Sequence, residues 1–220
     1  MFQRKDLPLH AFCNMGNMAV RDDIVRFASE QMEQLGIRSV SVDDICHAFG
    51  ISKKTFYVHF ATKDALLEAI IQQHEQQMAD QLDYIVKKKS VLQAITSWHI
   101  IAQQAKKSSN QKPPLIHDLQ KYYPELFKEH ERAVRRTMVN FLVRFLQKGI
   151  DEQIFRAEID VEMTASLFVD MHKALIARAD KHKLSPAELG KEGKHNMDIL
   201  LRGIFTIEGF QALENQINKS

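Results

Sequence analysis

Between Ser39 and Leu67 three of the hydroxyl residues, Ser41, Ser52 and Thr62, each stand just before a short run of helix formers, and that spacing leaves this segment little freedom. Ser41 is followed at the third position by Asp44, the pattern of a capping box, with Val42 and Ile45 opening the apolar side behind it. A helix is therefore expected from about Val42 to Phe49. Gly50 stands where a short helix needs a residue at ease with positive φ, and Ile51 supplies the apolar plug that such a turn tucks between two helices. Ser52 caps a second helix, Lys53 to Phe60, whose apolar side holds Phe56 and Phe60 and whose other faces carry Lys53, Lys54, Thr55, Tyr57 and His59. Thr62 caps a third through Lys63, Asp64 and Ala65. Two short capped helices joined by a tight turn read as a helix-turn-helix. From Ile45 to Lys63 there are three lysines and no Asp or Glu, with Asp43, Asp44 and Asp64 just outside, a charge pattern suited to a phosphate backbone.

These residues carry a resemblance. Gly36, Ser41, Ile45, Gly50, Ile51, Ser52, Thr55, Tyr57, His59, Phe60, Lys63 and Leu66 fall, in order and without a gap, on a signature similar to that of the TetR-type transcriptional repressors. Upstream, Ile24, Ala28, Met32 and Leu35 give the apolar stripe of a first helix, which in that family buttresses the helix-turn-helix. The close match runs from about Arg21 to Ala69; the remainder resembles the family in length and helical character. Two positions depart from the pattern. Cys46 replaces the usual small alanine, which packing tolerates, and Lys54 stands where glycine or proline is common, which bears on base preference.

Composition is compatible with this reading. A chain of 220 residues with 45% hydrophobic content can bury a substantial core in one large or two small domains. The formal net charge of only +2 excludes a globally basic polyanion binder, so positive charge gathered at one helix favours a localised contact. Cys13 and Cys46 do not make a disulfide framework, and a reducing cytoplasmic compartment is the simplest expectation. No apolar run approaches the roughly 18 residues of a membrane span, and the opening MFQRKDLPLHAF lacks the apolar core of a signal peptide. The expected organisation is a tail over 1–17, a helix-turn-helix domain over 18–64 and a helical domain over 65–220.

Beyond Thr62 the pattern is helix after helix, with no strand alternation and no internal repeat, so the fold class is all-α. Helices are expected over Lys63 to Lys88, Ser90 to Lys107, Leu115 to Lys121, Pro124 to Lys148, Asp160 to Lys181 and Ser185 to Gln216. The break KKKS at 87–90 reads as a solvated helix end or, alternatively, a patch for DNA or membrane. SPAEL at 185–189 is a helix start: Ser185 as cap, Pro186 first, Glu188 third.

The resemblance implies that the last two helices form a four-helix interface between two copies. Met163, Leu167, Ala174, Leu200, Ile204 and Ile207 lie at helical spacing there; the competing reading buries them within one subunit. It also implies a pocket for a small effector, apolar or aromatic, with Trp98, Ile101, Leu119, Tyr122, Phe127, Met138, Phe141, Leu142, Phe145, Phe168 and Met171 as candidate walls, although such stripes are more often ordinary core. His99, His117 and His172 read as structural. Catalysis has no motif to stand on: His130 and Glu131 begin HERAV without the second histidine a zinc site on one helix face needs, and there is no CxxC, P-loop, dinucleotide glycine motif or GxSxG. No metal and no cofactor are expected.

The function implied is a dimeric regulator, a repressor of a palindromic double-stranded operator released by a small molecule; the alternative is an architectural DNA binder without an inducer. Lys53, Lys54 and Thr55 would approach base edges, and Ser41, Tyr57, His59 and Lys63 phosphates, with Ser52 at the helix start between them.

Overall fold

The computed structural model describes residues 17–97 and 114–217, and these are helical almost throughout. The chain divides into two compact units. One takes in residues through His74 together with the segment ending at Glu129; the other takes in Glu75–Gln111 and His130–Ser220. The first is larger than the 18–64 segment expected to read DNA.

In the first unit, α1 (Asn17–Leu35) packs with α2 (Val42–Phe49), α3 (Lys53–His59), the start of α4 (Lys63–Lys88), α6 (Pro114–Tyr122) and the start of α7 (Pro124–Asp151). The stripe at Ile24, Ala28 and Met32 is fully buried because residues three and four apart share a helix face. Leu35 departs from it: at the helix end it is half exposed, and Ile37 after the turn fills the core instead. Ile45, Phe56, Phe60, Leu66, Leu67 and Ile70 complete this core, with Leu115 and Leu119 of α6. Each fully buried Phe or Leu contributes about 1.5–3 kcal/mol, so Phe56 and Phe60 outweigh the weak helix preference of a seven-residue α3.

The second unit holds the remainder of α4 and α7, a helix α5 described over 91–97, α8 (Val161–His182), α9 (Pro186–Ile204) and α10 (Ile207–Ile217). Its core gathers Val91, Ala94, Phe141, Phe145, Leu146, Phe155, Ala165, Ile204, Phe205 and Leu213. The corner at KKKS is a built helix end. Lys148 donates to the carbonyls of Val86 and Lys89, both at 2.7 Å, and Glu152 one turn on accepts the Val91 N–H at 2.9 Å. Two opposite charges, Lys148 in the last turn of α7 and Glu152 just after it, thus satisfy backbone groups that two helix ends leave open. Lys87 pairs with Asp83 at 2.7 Å.

The expected helix Ser185 to Gln216 is two helices. Its start is as anticipated, with Ser185 and Glu188 closing a capping box and Pro186 in the first turn. It breaks at Phe205, whose backbone is extended and forms an isolated antiparallel bridge with Phe155. Arg156 N–H donates to Ile204 O at 2.8 Å and Thr206 N–H to Ile154 O at 3.0 Å. Thr206 then caps α10, its hydroxyl accepting from Gly209 N–H at 2.9 Å and donating to Gln153 O at 3.0 Å. Backbone groups about fifty residues away satisfy the interrupted ladder, so the break costs no unpaired polar group.

Candidate nucleic-acid interface

The candidate surface is assembled from three caps. Ser41 sits in extended backbone; its hydroxyl accepts the Asp44 N–H at 3.1 Å, and the Asp44 carboxylate accepts the Ser41 N–H at 2.9 Å. The Ser41 hydroxyl, which also donates to that carboxylate at 2.6 Å, and then the Ser41 N–H hold the Asp44 carboxyl below the ordinary aspartate value. Gly50 closes α2 at φ 61 and ψ 30, with its N–H on His47 O at 3.3 Å and the Ile51 N–H on Cys46 O at 3.0 Å, the paired bonds of a Schellman turn. Ile51 packs against the core, as the plug reading requires. Ser52 accepts the Thr55 N–H at 3.1 Å, and the two hydroxyls lie 2.9 Å apart. Thr62 accepts the Ala65 N–H at 3.0 Å at the start of α4.

With Phe56 and Phe60 anchored inside, α3 exposes Lys53, Lys54, Thr55, Tyr57 and Val58, while His59 is half-buried. Val58 is 69% exposed and was not singled out from sequence. An exposed β-branched side chain on this face suits a thymine methyl group. Ser41 and Ser52 are exposed too, with their hydroxyls engaged in capping.

Two of the lysines have partners that spacing did not disclose. The Lys53 ammonium lies 2.8 Å from Asp43, across the turn on α2, and this hydrogen bond raises its pKa. The Lys63 ammonium donates to Ile37 O at 2.6 Å, while burial pushes its pKa down. An ammonium has three donors, so Lys63 can hold this carbonyl and a phosphate together. Beside it, Arg38 in the α1–α2 turn presents an exposed guanidinium, a cation the sequence reading passed over because the turn carries no motif.

The expected effector walls are divided between the two units. Trp98 and Ile101 lie outside the described residues, as does His99. Leu119, Tyr122 and Phe127 belong to the first unit, where Leu119 is fully buried core and Tyr122 is exposed. Met138, Phe141, Leu142, Phe145, Phe168 and Met171 belong to the second, where Phe141, Leu142 and Phe145 are themselves core. A groove of about 450 Å³ runs along α9, lined by Ala187, Gly190, Lys191, Lys194, His195 and Asp198, and shares none of these residues. Among the candidate interface residues, Met163, Leu167 and Ile207 are 71%, 55% and 75% exposed. Ala174 is exposed and Leu200 half-buried, but Ile204 is buried in its own unit, held there by the Phe155–Phe205 bridge beside it.

Among the described residues no group of three or more His, Cys, Asp or Glu could hold a metal ion, and no helix is long and apolar enough to cross a membrane.

Comparison with known proteins matches the same segment. Residues 24–70 fit the family described as bacterial regulatory proteins, tetR family. A curated relative, the HTH-type transcriptional repressor KstR2 of Mycolicibacterium smegmatis, is 23% identical over 148 residues, covering 65% of this chain and 71% of that protein. A transcriptional regulator from Cytophaga hutchinsonii superposes with a TM-score of 0.66 at 17% identity, over 84% of this chain and 98% of that one. The reduced form of NemR from E. coli does so with a TM-score of 0.62 at 15% identity, over 82% and 97%. At these identities the structures establish a shared fold.

Proposed function

Since this chain is a TetR-type regulator by its residues 24–70, we propose that it acts as a dimeric repressor that reads a palindromic operator with α3 and releases it on binding a small molecule. The observation that carries this is the division of α3: Phe56 and Phe60 buried, Lys53, Lys54, Thr55, Tyr57 and Val58 displayed. Regulators of this family are DNA-binding proteins rather than enzymes.

Each copy lays α3 in a major groove. Lys54 and Thr55, at its N-terminal end, meet base edges, lysine matching the guanine acceptors. Lys53 joins them by exchanging Asp43 for DNA. Tyr57, His59, Ser41 and Lys63 hold phosphates, Ser41 and Lys63 helped by the open amides of helix starts, and Ser52 keeps the first turn of α3 in shape. A single helix contacts few base pairs, so two half-sites about one helical turn apart supply the affinity that one copy lacks. The exposed Met163 and Leu167 on α8, with Ile199 on α9 and Ile207 on α10, support a second copy docking on these helices, since large apolar side chains in water favour a partner.

In this reading residues 18–64 read DNA and 65–220 dimerise and sense. The effector is apolar or aromatic and enters the second unit beside Met138, Phe168 and Met171, which are only partly buried there. It acts by differential affinity for the DNA-bound and released arrangements. The regulator works in the cytoplasm, with the DNA. Site selection from random duplexes with the purified full chain tests the core of the proposal. A palindrome with half-sites about one turn apart is the expected result; recovery of single half-sites, or of no preferred sequence, would overturn it.

A further inference from the structure

We propose that Arg38, Lys121 and Tyr122 form a second phosphate clamp that grips the DNA backbone beside the half-site read by α3. The clamp rests on the DNA-binding reading above and adds an element, α6, to it.

Three donors converge on one exposed spot of the first unit. The Arg38 guanidinium carbon lies 4.8 Å from the centre of the Tyr122 ring, and the Lys121 ammonium lies 5.0 Å from it. All three residues are exposed. Two cations gathered at one aromatic ring repel each other, and among the described residues neither has a carboxylate within ion-pair distance. The ring face offsets part of that repulsion; an anion between them would offset the rest. Lys121 foremost and then Arg38, both beside the phenol oxygen, hold the Tyr122 pKa below the ordinary tyrosine value.

The nearest acid is directed elsewhere. Asp118 accepts the backbone N–H of Arg38 at 3.3 Å and is largely buried, at 18% side-chain exposure, with His117 at 3.7 Å on its other oxygen. Gly36 leaves room for it: a Cβ there would stand 2.8 Å from the carboxylate. Asp118 therefore fixes the turn that presents Arg38 and leaves the guanidinium unneutralised. The same turn is tied to the reading surface, since Ile37 O receives Lys63 and Ser41, the cap of α2, follows three residues after Arg38. The chemistry selected is a phosphodiester: an arginine fork, a lysine point charge and a hydroxyl donor, with no element among them to read a base.

The test uses the full chain, its selected operator and fluorescence anisotropy across a salt series. Each phosphate contact adds about 0.9 to the salt slope, so the double variant Arg38→Gln, Lys121→Gln should lose about 1.8. Between 50 and 200 mM salt its affinity should then fall roughly tenfold less than that of the parent. Arg38→Lys should keep the slope, and the selected sequence should be the same for every variant. Trimming the duplex to the bare half-sites should abolish the difference between parent and double variant. An unchanged slope in the double variant, while Lys63→Ala lowers it, would overturn the clamp and leave DNA reading standing. A shifted base preference would overturn its backbone assignment. Failure of the parent chain to bind any duplex would overturn both.

Discussion

Gly50 offers a clean measure of what the turn between α2 and α3 demands, because a side chain added there meets nothing. Its φ is +61°, and a Cβ built on it finds no atom within 4 Å. Gly50→Ala therefore changes backbone preference alone. Holding an alanine in the left-handed region costs about 1–2 kcal/mol, while the narrower unfolded ensemble of alanine returns about 0.4–1 kcal/mol. The net loss is about 1 kcal/mol, or roughly fivefold in the population of the opened turn. The Ile51 amide reports it directly, since its bond to Cys46 O at 3.0 Å exists only while the turn is closed. Hydrogen exchange at Ile51 should accelerate about fivefold in Gly50→Ala and distinctly less in Gly50→Asn, because asparagine tolerates this region. Gly36→Ala is the contrasting case. It adds a collision with the Asp118 carboxylate to an unfavourable φ of +87°, so it should be the more damaging of the two. Equal protection of Ile51 in Gly50→Ala and the parent, or faster exchange in Gly50→Asn than in Gly50→Ala, would refute the reasoning.

Four further outcomes can be checked with the same chain. Asp43→Asn should strengthen binding to unrelated DNA and steepen its salt dependence, because Lys53 loses its partner at 2.8 Å and is freed for phosphates. Lys63→Ala should lower the salt slope by about 1 on every sequence and destabilise the fold by about 1 kcal/mol through the lost bond to Ile37 O, both readable by anisotropy and denaturant titration. Lys54→Ala should relax the preferred base at one position per half-site in a selection experiment, with little change on random DNA. The Asp44 carboxyl titrates below its unfolded value of 3.8 because Ser41 bonds its charged form. Its contribution to α2 is therefore complete above 3.8 and is lost as pH falls through the lower folded value, which an acid titration of the Ser41 amide signal should follow.

What could be read in advance was local. Ser41 with Asp44, Ser52, Gly50 and Ser185 with Glu188 each act within four residues of themselves, so their spacing alone carried the caps and the turn. The division of α9 from α10 was hidden because its cause lies at Ile154, Phe155 and Arg156; Thr206 followed by Gly209 was the one nearby hint of a new start. Charge pairing escaped for the same reason. Asp43 precedes Lys53 by ten residues, and only the closed turn brings them together. The aromatic stripe was legible only as burial, since helical periodicity records that Leu119, Phe141 and Phe145 are buried but not in which unit.

If α3 reads DNA as proposed, the ion pair between Lys53 and Asp43 would also bear on how fast a target is found. A regulator must examine a great many incorrect sites, and its residence at each grows with the number of counterions it displaces. A lysine paired with its own neighbour would displace fewer until a base edge or a well-placed phosphate outbids the carboxylate. In the proposed reading the leading charge of α3 would be withheld during scanning and released at the operator, which would shorten each wrong stop while the correct one keeps its contact.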